Sequence, residues 1–521
     1  MLSRKNILEK TTIIGGMTAV SRILGMAREM LMTRYLGANE LSDIFITAFA
    51  VPSALRKIFA EGALAAACVP QIVQTVHEKG PKSIGGMMTV AFIVFQSIVT
   101  ILCGLIMSNA EFVILLRAPG FATDPLKIAR SAQLLRVLAP YIFFLSSSSL
   151  LAGALHSVAR FWVPAFGPIL LNLVFIASIL VCIVFNSSII VLCVGILCSG
   201  FLLLLMHLIA YFYADFSFGR ITHADLLRVG NMLLKFFFSA IAMSAVEVKL
   251  IIDSNFASYL PTSTISLIYY AERFMGIPLG IFASAFSTVL LTHLARVCKT
   301  APCRLPFYLL ESIKLVYWVT IPIMFVMMFF AHDIFITLFV SDKFSMAQAY
   351  QSGLILRVYL LGLFFYSANK ILLNFFFGFQ ATWIPSLIAI SSAVLNYGLN
   401  FFLVSWWQAP GLILASNIAT AIETFAMTFC LYYVFKVSLA YKRFALFVLY
   451  SSAHIAVHIG LFLALYKVAR HALFIVVPEI NHELVFKTAF LWCWVTPLVV
   501  ATTILFVKTR SLAKVELYFL G

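Results

Sequence analysis

Apolar residues along this chain come in continuous runs rather than in alternation, and the runs are separated by short breaks rich in charge, proline or glycine. A hydrocarbon core about 30 Å thick is crossed by about 20 helical residues, and many runs reach that length. Barrel strands, which alternate between lipid-facing and lumen-facing residues, do not fit the pattern. It predicts spans near 11–34, 41–76, 86–108, 132–157, 163–186, 188–213 and 231–254. Further spans follow near 264–295, 307–331, 347–376, 384–405, 410–435, 444–467 and 486–507, which makes fourteen. The first, second, eighth and tenth are long, polar or interrupted by glycine and proline.

Composition strengthens this picture. The 521 residues are 63% hydrophobic and 11% charged, and the mean hydropathy is +1.03, more apolar surface than a water-soluble domain can bury. The expected fold class is an all-α polytopic membrane protein of about fourteen transmembrane helices. A net charge of +16 could suggest nucleic acid, but the basic residues gather in alternate connections. Arg4, Lys5, Lys79, Lys82, Arg160, Arg220, Arg228 and Lys436 fall on one side, against Arg117, Lys127, Arg130 and Lys343 on the other. The positive-inside rule then puts both termini in the cytoplasm and makes membrane lipids, not nucleic acid, the expected surroundings.

The first apolar segment contains Arg22 and Arg28 and lacks a small-residue cleavage site, so it reads as a retained helix. The nine cysteines fall mostly inside spans, and Cys298 with Cys303 lacks the further ligands of a metal site. Ten scattered histidines, mostly near span ends, read as structural or interfacial. No Walker A loop, HExxH or Gly-x-Ser-x-Gly occurs, which argues against an enzyme.

A repeat is visible. Ile58-Phe59-Ala60 recurs as Ile281-Phe282-Ala283, and Trp162-Val163-Pro164 as Trp383-Ile384-Pro385, at offsets of 223 and 221. A shared offset joining span two to eight and five to eleven is what duplication of a six-helix unit leaves. The division expected is a lobe over 1–215, a cytoplasmic linker over 216–230, a second lobe over 231–437, and two extra helices with a tail over 438–521. The lobes would enclose a central cavity. The linker has the makings of a short interfacial helix around Ile221, Leu226, Leu227 and Val229, and EFVILLRAPGF after span three reads as another surface-lying piece.

Charges inside the spans are the functional signal, because an ionisable group at bilayer depth costs a few kcal/mol and usually faces a cavity. The second span holds Arg56, Lys57 and Glu61; Glu61 lies four to five residues on and can pair with either cation. Mutual neutralisation of Arg56 and Glu61 for packing is the plain reading, but it weakens once the charges of other helices are counted, which leaves Glu61 a candidate substrate-binding residue beside the arginines. The first span holds Arg22, Arg28, Glu29 and Arg34, and the eighth holds Glu272 and Arg273 after Tyr269 and Tyr270. Arginine's planar fork suits phosphate, so these helices together point to an anionic ligand, a phosphate or diphosphate. Helix-bending residues such as Gly25, Pro52 and Pro278 suit alternating access around a large cavity.

Seven stretches, SRILGMARE (21–29), LSDIF (41–45), LRKIFAEGA (55–63), APGF (118–121), LRVLAPYI (135–142), RFWVPAFGPILLN (160–172) and SLIYYAERFMGIP (266–278), carry a resemblance. With them the chain resembles the MurJ/MviN lipid II flippases of the multidrug/oligosaccharidyl-lipid/polysaccharide exporter superfamily. The resemblance implies a bacterial inner-membrane transporter that moves an undecaprenyl-diphosphate-linked peptidoglycan precursor between leaflets. It places the family's cavity arginines on Arg22, Arg28, Arg56 and Arg273, with functional positions also at Asp43 and Ser266, and assigns the last two helices a groove for the lipid tail. Some relatives bind sodium between spans seven, eleven and twelve, which here implies Asn396, Asn400, Ser416 and Asp253; no organic cofactor is implied. Two positions depart from the pattern. Gly276 replaces an acidic residue often found before the span-eight proline, and Asn400 replaces a carboxylate of the sodium-binding relatives.

Rival readings stay open on the sequence alone. The chain could export another lipid-linked oligosaccharide, act as a drug-cation antiporter, which a basic cavity disfavours, or serve as a non-transporting scaffold for cell-wall synthesis proteins.

Overall fold

The computed structural model describes residues 4–158, 160, 162–379, 381, 383–476, 490–513 and 515–520. Its backbone is helical, with one isolated bridge between Ser341 and Phe344 and no longer strand among the described residues. In lipid this is the economical solution, since a helix satisfies its own backbone hydrogen bonds. The chain divides into two compact units, Met1–Ser266 and Leu267–Gly521.

The first unit contains α1 (Arg4–Leu36), α2 (Glu40–Arg56), α3 (Ala63–Lys79), α4 (Gly85–Ser108), α5 (Ala110–Arg117), α6 (Pro125–Leu138), α7 (Tyr141–Ser157), α8 (Trp162–Val184), α9 (Ile189–Phe212) and α10 (His223–Ser258). Local sequence sets their ends. Gly37 at φ 73 closes α1, with its N–H bonded to Thr33 O at 2.8 Å. Asn39 and Ser42 form a capping box at the start of α2, and Thr222 with Asp225 does so for α10. The interfacial helix expected in the linker is thus the opening of α10 itself. Arg220 O and the Asp225 carboxylate lie so close to Gly86 that a β-carbon there would collide with both, which fastens the α9–α10 connection to the head of α4. Leu64, Cys68, Ile72, Met87, Leu151, Ala154 and Tyr211 build the buried core between α3, α4, α7 and α9.

The second unit follows from Leu267, within α11 (Thr264–Pro278), through α12 (Ala285–Thr300), α13 (Leu305–Phe329), α14 (Ala331–Phe339), α15 (Met346–Leu361), α16 (Leu363–Gly378), α17 (Trp383–Phe435), α18 (Tyr441–Val476) and α19 (Phe490–Thr509). Leu309, Val316, Ala368, Leu372, Phe375 and Leu431 form its main core. A straight α17 of 53 residues would be about 80 Å long, far beyond one bilayer. It breaks at Gln408, which has φ 50 and ψ −128, and the fold-back is so tight that a β-carbon on Gly411 would strike Leu403 O. Past α19, Val515 and Leu517 are buried, and the Tyr518 N–H donates to Glu311 Oε2 at 3.1 Å.

Among the described residues nine helices are long and apolar enough to cross a membrane, or ten if α15 and α16, bent by 44°, form one span. Counting α17 as two and adding α1, the α2–α3 pair and α10 reaches the expected fourteen. Those three additions are less apolar because they carry the intramembrane charges, Arg22, Arg28, Arg56, Lys57, Glu247 and Asp253 among them. Phe401, Phe402 and Trp406 are exposed on the outside of α17, as side chains facing acyl chains should be.

Each unit has a π-helical turn: Lys57–Gly62 joins α2 to α3, and Leu279–Ser284 joins α11 to α12. They stand 222 residues apart and coincide with the repeated Ile-Phe-Ala. π turns are rare and concentrate at functional sites.

Candidate substrate-binding site

Arg28 is held by three neighbours. Its Nη1 donates to Asn172 Oδ1 of α8 at 3.0 Å, Nη2 pairs with Glu29 Oε1 at 2.5 Å, and its Cζ sits 5.0 Å from the centre of the Phe175 ring. Asn172 in turn donates Nδ2 to Ser21 O at 3.0 Å. One amide therefore clasps α1 at two levels and fixes the plane of the guanidinium. Glu29 is 5% exposed; a carboxylate that buried needs the cation beside it. Arg22 lies exposed on the same helix.

Asp43, on α2, is 2% exposed and accepts from the backbone N–H groups of Ser263 at 2.7 Å and Ser266 at 2.9 Å. It thereby acts as an N-cap supplied from another helix, satisfying two donors that α11 leaves unpaired and meeting the positive end of its dipole. Ser266 donates its hydroxyl to Ser263 O at 2.8 Å. Asp43 and Ser266, read as functional positions, are thus brought together as one structural joint.

Arg56 lines a cavity of about 280 Å³ in the first unit together with Ser148, Ser149, His156, Gly167 and His207. Its neighbour Lys57 pairs with Glu247 of α10 at 2.9 Å. Glu247 is a partner that sequence reasoning misses, since it lies 190 residues away. The side chain of Glu61, the expected partner, lies outside the described residues.

In the second unit Arg273 is exposed, with Cζ 4.4 Å above the Tyr269 ring one helical turn earlier. The halves of α17 bring Ser416 Oγ within 3.4 Å of Asn396 Oδ1, and Asn400 is fully buried nearby in sequence. These are neutral donors, Asp253 belongs to the first unit, and among the described residues no group of three or more His, Cys, Asp or Glu could hold a metal. A second cavity of about 400 Å³ opens between α13, α18 and α19, lined by Trp318, Pro322, Ile455, Phe462, Val499 and Phe506. Its apolar walls suit a hydrocarbon chain.

The chain matches the family model described as lipid II flippase MurJ over residues 32–505. It is 32% identical over 457 residues to the "Probable lipid II flippase MurJ" of Buchnera aphidicola subsp. Acyrthosiphon pisum, covering 85% of this chain and 87% of that protein. A solved structure of lipid II flippase MurJ in an inward closed conformation aligns at a TM-score of 0.77 and 22% identity, over 96% of this chain and 99% of that one. An inward-facing multidrug resistance MATE family transporter of the MOP superfamily aligns at 0.65 and 13% identity, over 78% and 92%. The fold is therefore that of a multi-pass membrane transporter, and the chain belongs to the lipid II flippase MurJ family.

Proposed function

We propose that this chain carries lipid II, a peptidoglycan precursor linked to a polyprenyl diphosphate, from the inner to the outer leaflet of a bacterial inner membrane by alternating access, with both termini cytoplasmic. The observation that carries the reading is the clasp on Arg28: Asn172, Glu29 and Phe175 hold a guanidinium in fixed orientation within a membrane helix. A preset fork of that kind matches two phosphate oxygens at little cost in side-chain entropy. Arg22, Arg56 and Arg273 supply further positive charge for the diphosphate. The apolar cavity between α13, α18 and α19 supplies a surface for the prenyl tail, so the tail stays in a hydrocarbon environment while the headgroup moves. The two π turns, one per unit, and Pro278 in α11 provide places where helices bend. Because cationic groups and an anionic headgroup move through the field, a membrane potential biases the cycle by about 2.3 kcal/mol per charge per 100 mV.

Reconstitution into liposomes with labelled lipid II, scoring outer-leaflet exposure, tests the reading. Exposure should rise with protein and be suppressed by excess unlabelled lipid II. Equal suppression by an unrelated lipid-linked oligosaccharide would favour a broader exporter, and no exposure at all would favour a scaffold for cell-wall synthesis proteins.

A further inference from the structure

The apolar cavity assigned to the prenyl tail does not end at Phe462. A further cavity of about 360 Å³ continues it, and Val326, Ile459 and Phe462 line both. Along α13 the common wall runs from Trp318 to Phe329, roughly 16 Å of helix. Among the described residues the lining of the further stretch is apolar except at Arg357 of α15. Its Nε donates to Met328 O at 3.0 Å, one of the last carbonyls of α13, which have no partner within their own helix. That bond occupies one of five N–H donors. Among the described residues the Nη nitrogens make no hydrogen bond or ion pair, so capping α13 leaves the fork of the guanidinium available. Other charges meet the same end of the groove. Asp333 of α14 lies in the field of Arg357 and of Arg470 on α18, and His332 lies in that of Arg357. With the imidazole neutral, two guanidinium groups against one carboxylate keep this end positive.

We infer that Arg357 meets the diphosphate of a prenyl lipid whose chain lies in this groove, at the end where the headgroup arrives after crossing. With both termini cytoplasmic, α13 runs from the inner to the outer face, and Met328, one residue before its end, marks the outer-leaflet level. A cation there sits where lipid phosphates are, while the chain below it needs only apolar walls. The groove is one continuous row, which suits a lipid with a single hydrocarbon chain beneath its phosphates; a glycerophospholipid brings two. Arginine's fork then accepts two phosphate oxygens at once, with Nε already fixed by α13. No bond is made or broken in this step. The inference rests on the transport reading under Proposed function and adds to it a second station for the diphosphate, within the second unit, reached before the tail leaves its groove.

The test is photo-capture in the full chain, held in phosphatidylcholine nanodiscs, with Phe325→p-benzoylphenylalanine as the reporter. Phe325 lines the same stretch as Arg357 and is 45% exposed, so a larger ring is accommodated there. Labelled undecaprenyl diphosphate should be captured, and captured better than labelled undecaprenol, which has the chain without the phosphates. Arg357→Gln keeps a donor for Met328 O but loses the charge; it should lower capture of the diphosphate by about tenfold and leave that of undecaprenol unchanged. Undecaprenol capture thus reports an intact groove, and if Arg357→Gln loses it, Arg357→Lys, which keeps the charge without the fork, decides by a smaller loss confined to the diphosphate. Equal capture of the two lipids, diphosphate capture untouched by either substitution, or equal suppression by excess phosphatidylglycerol, which would give this end of the groove to an ordinary membrane phospholipid, overturns the inference. Each of these leaves lipid II exposure in liposomes, and so the transport reading, standing. Absence of that exposure with capture intact overturns the transport reading and with it the arrival role of Arg357.

Discussion

Arg28 and Arg273 are the same residue held in two different ways. Arg28 is fixed by an amide from α8, a neighbouring carboxylate and an aromatic ring. Arg273 is exposed and rests on Tyr269 of its own helix. The difference is one of exposure: one guanidinium is half-buried among polar and aromatic side chains, the other lies at an accessible position with a ring quadrupole beneath it. A fixed guanidinium gives geometry, whereas an accessible one gives reach.

The broadest challenge to this contrast is removal of the charge. Arg28→Ala and Arg273→Ala should each abolish lipid II exposure in reconstituted liposomes while the protein still inserts; retained flipping by both would end the anion-binding account. A narrower challenge is Asn172→Leu, which leaves Arg28 in place but removes its clasp. Loss of a hydrogen bond to a charged group is worth about 1.5–3 kcal/mol, so transport should fall by roughly tenfold or more, whereas a leucine variant of full activity would show that α8 does not orient Arg28. The smallest effect is expected for Tyr269→Leu. A cation–π contact at an exposed site contributes about 0.5–1 kcal/mol, so the loss should be a few-fold in apparent affinity for lipid II, and a loss as severe as that of Arg273→Ala would mean the tyrosine itself meets the ligand.

Helices and their charges are legible in the sequence because lipid enforces both. A span must be long, apolar and internally hydrogen-bonded, and a charge within it stands out against that requirement. The duplication is legible too, and the π turns fall on the repeated Ile-Phe-Ala. Partners are not legible. Asn172 ends the stretch RFWVPAFGPILLN, but nothing in one sequence joins it to Arg28, 144 residues earlier. The same holds for Lys57 and Glu247, and for Asp43, whose acidic side chain marks a polar site without revealing that two backbone N–H groups 220 and 223 residues away are what it meets. The break in α17 is expected from the gap between the spans near 384–405 and 410–435, yet its residue of positive φ, Gln408, carries no composition signal.

A π turn accommodates one residue more than the α-helical turn it interrupts. Deleting a single residue from Lys57–Gly62 would therefore return an ordinary α turn and leave the helix beyond it close to its present phase, whereas a deletion from the α-helical residues just before it rotates everything beyond by about 100°. The stripe formed by Leu64, Cys68, Ile72 and Val76, buried in the first unit, would keep its face in the first case and swing away from its core in the second. The surplus residue is thus the one whose loss the phase can absorb, and in both halves of the chain the tolerance for a single deletion should be highest just there.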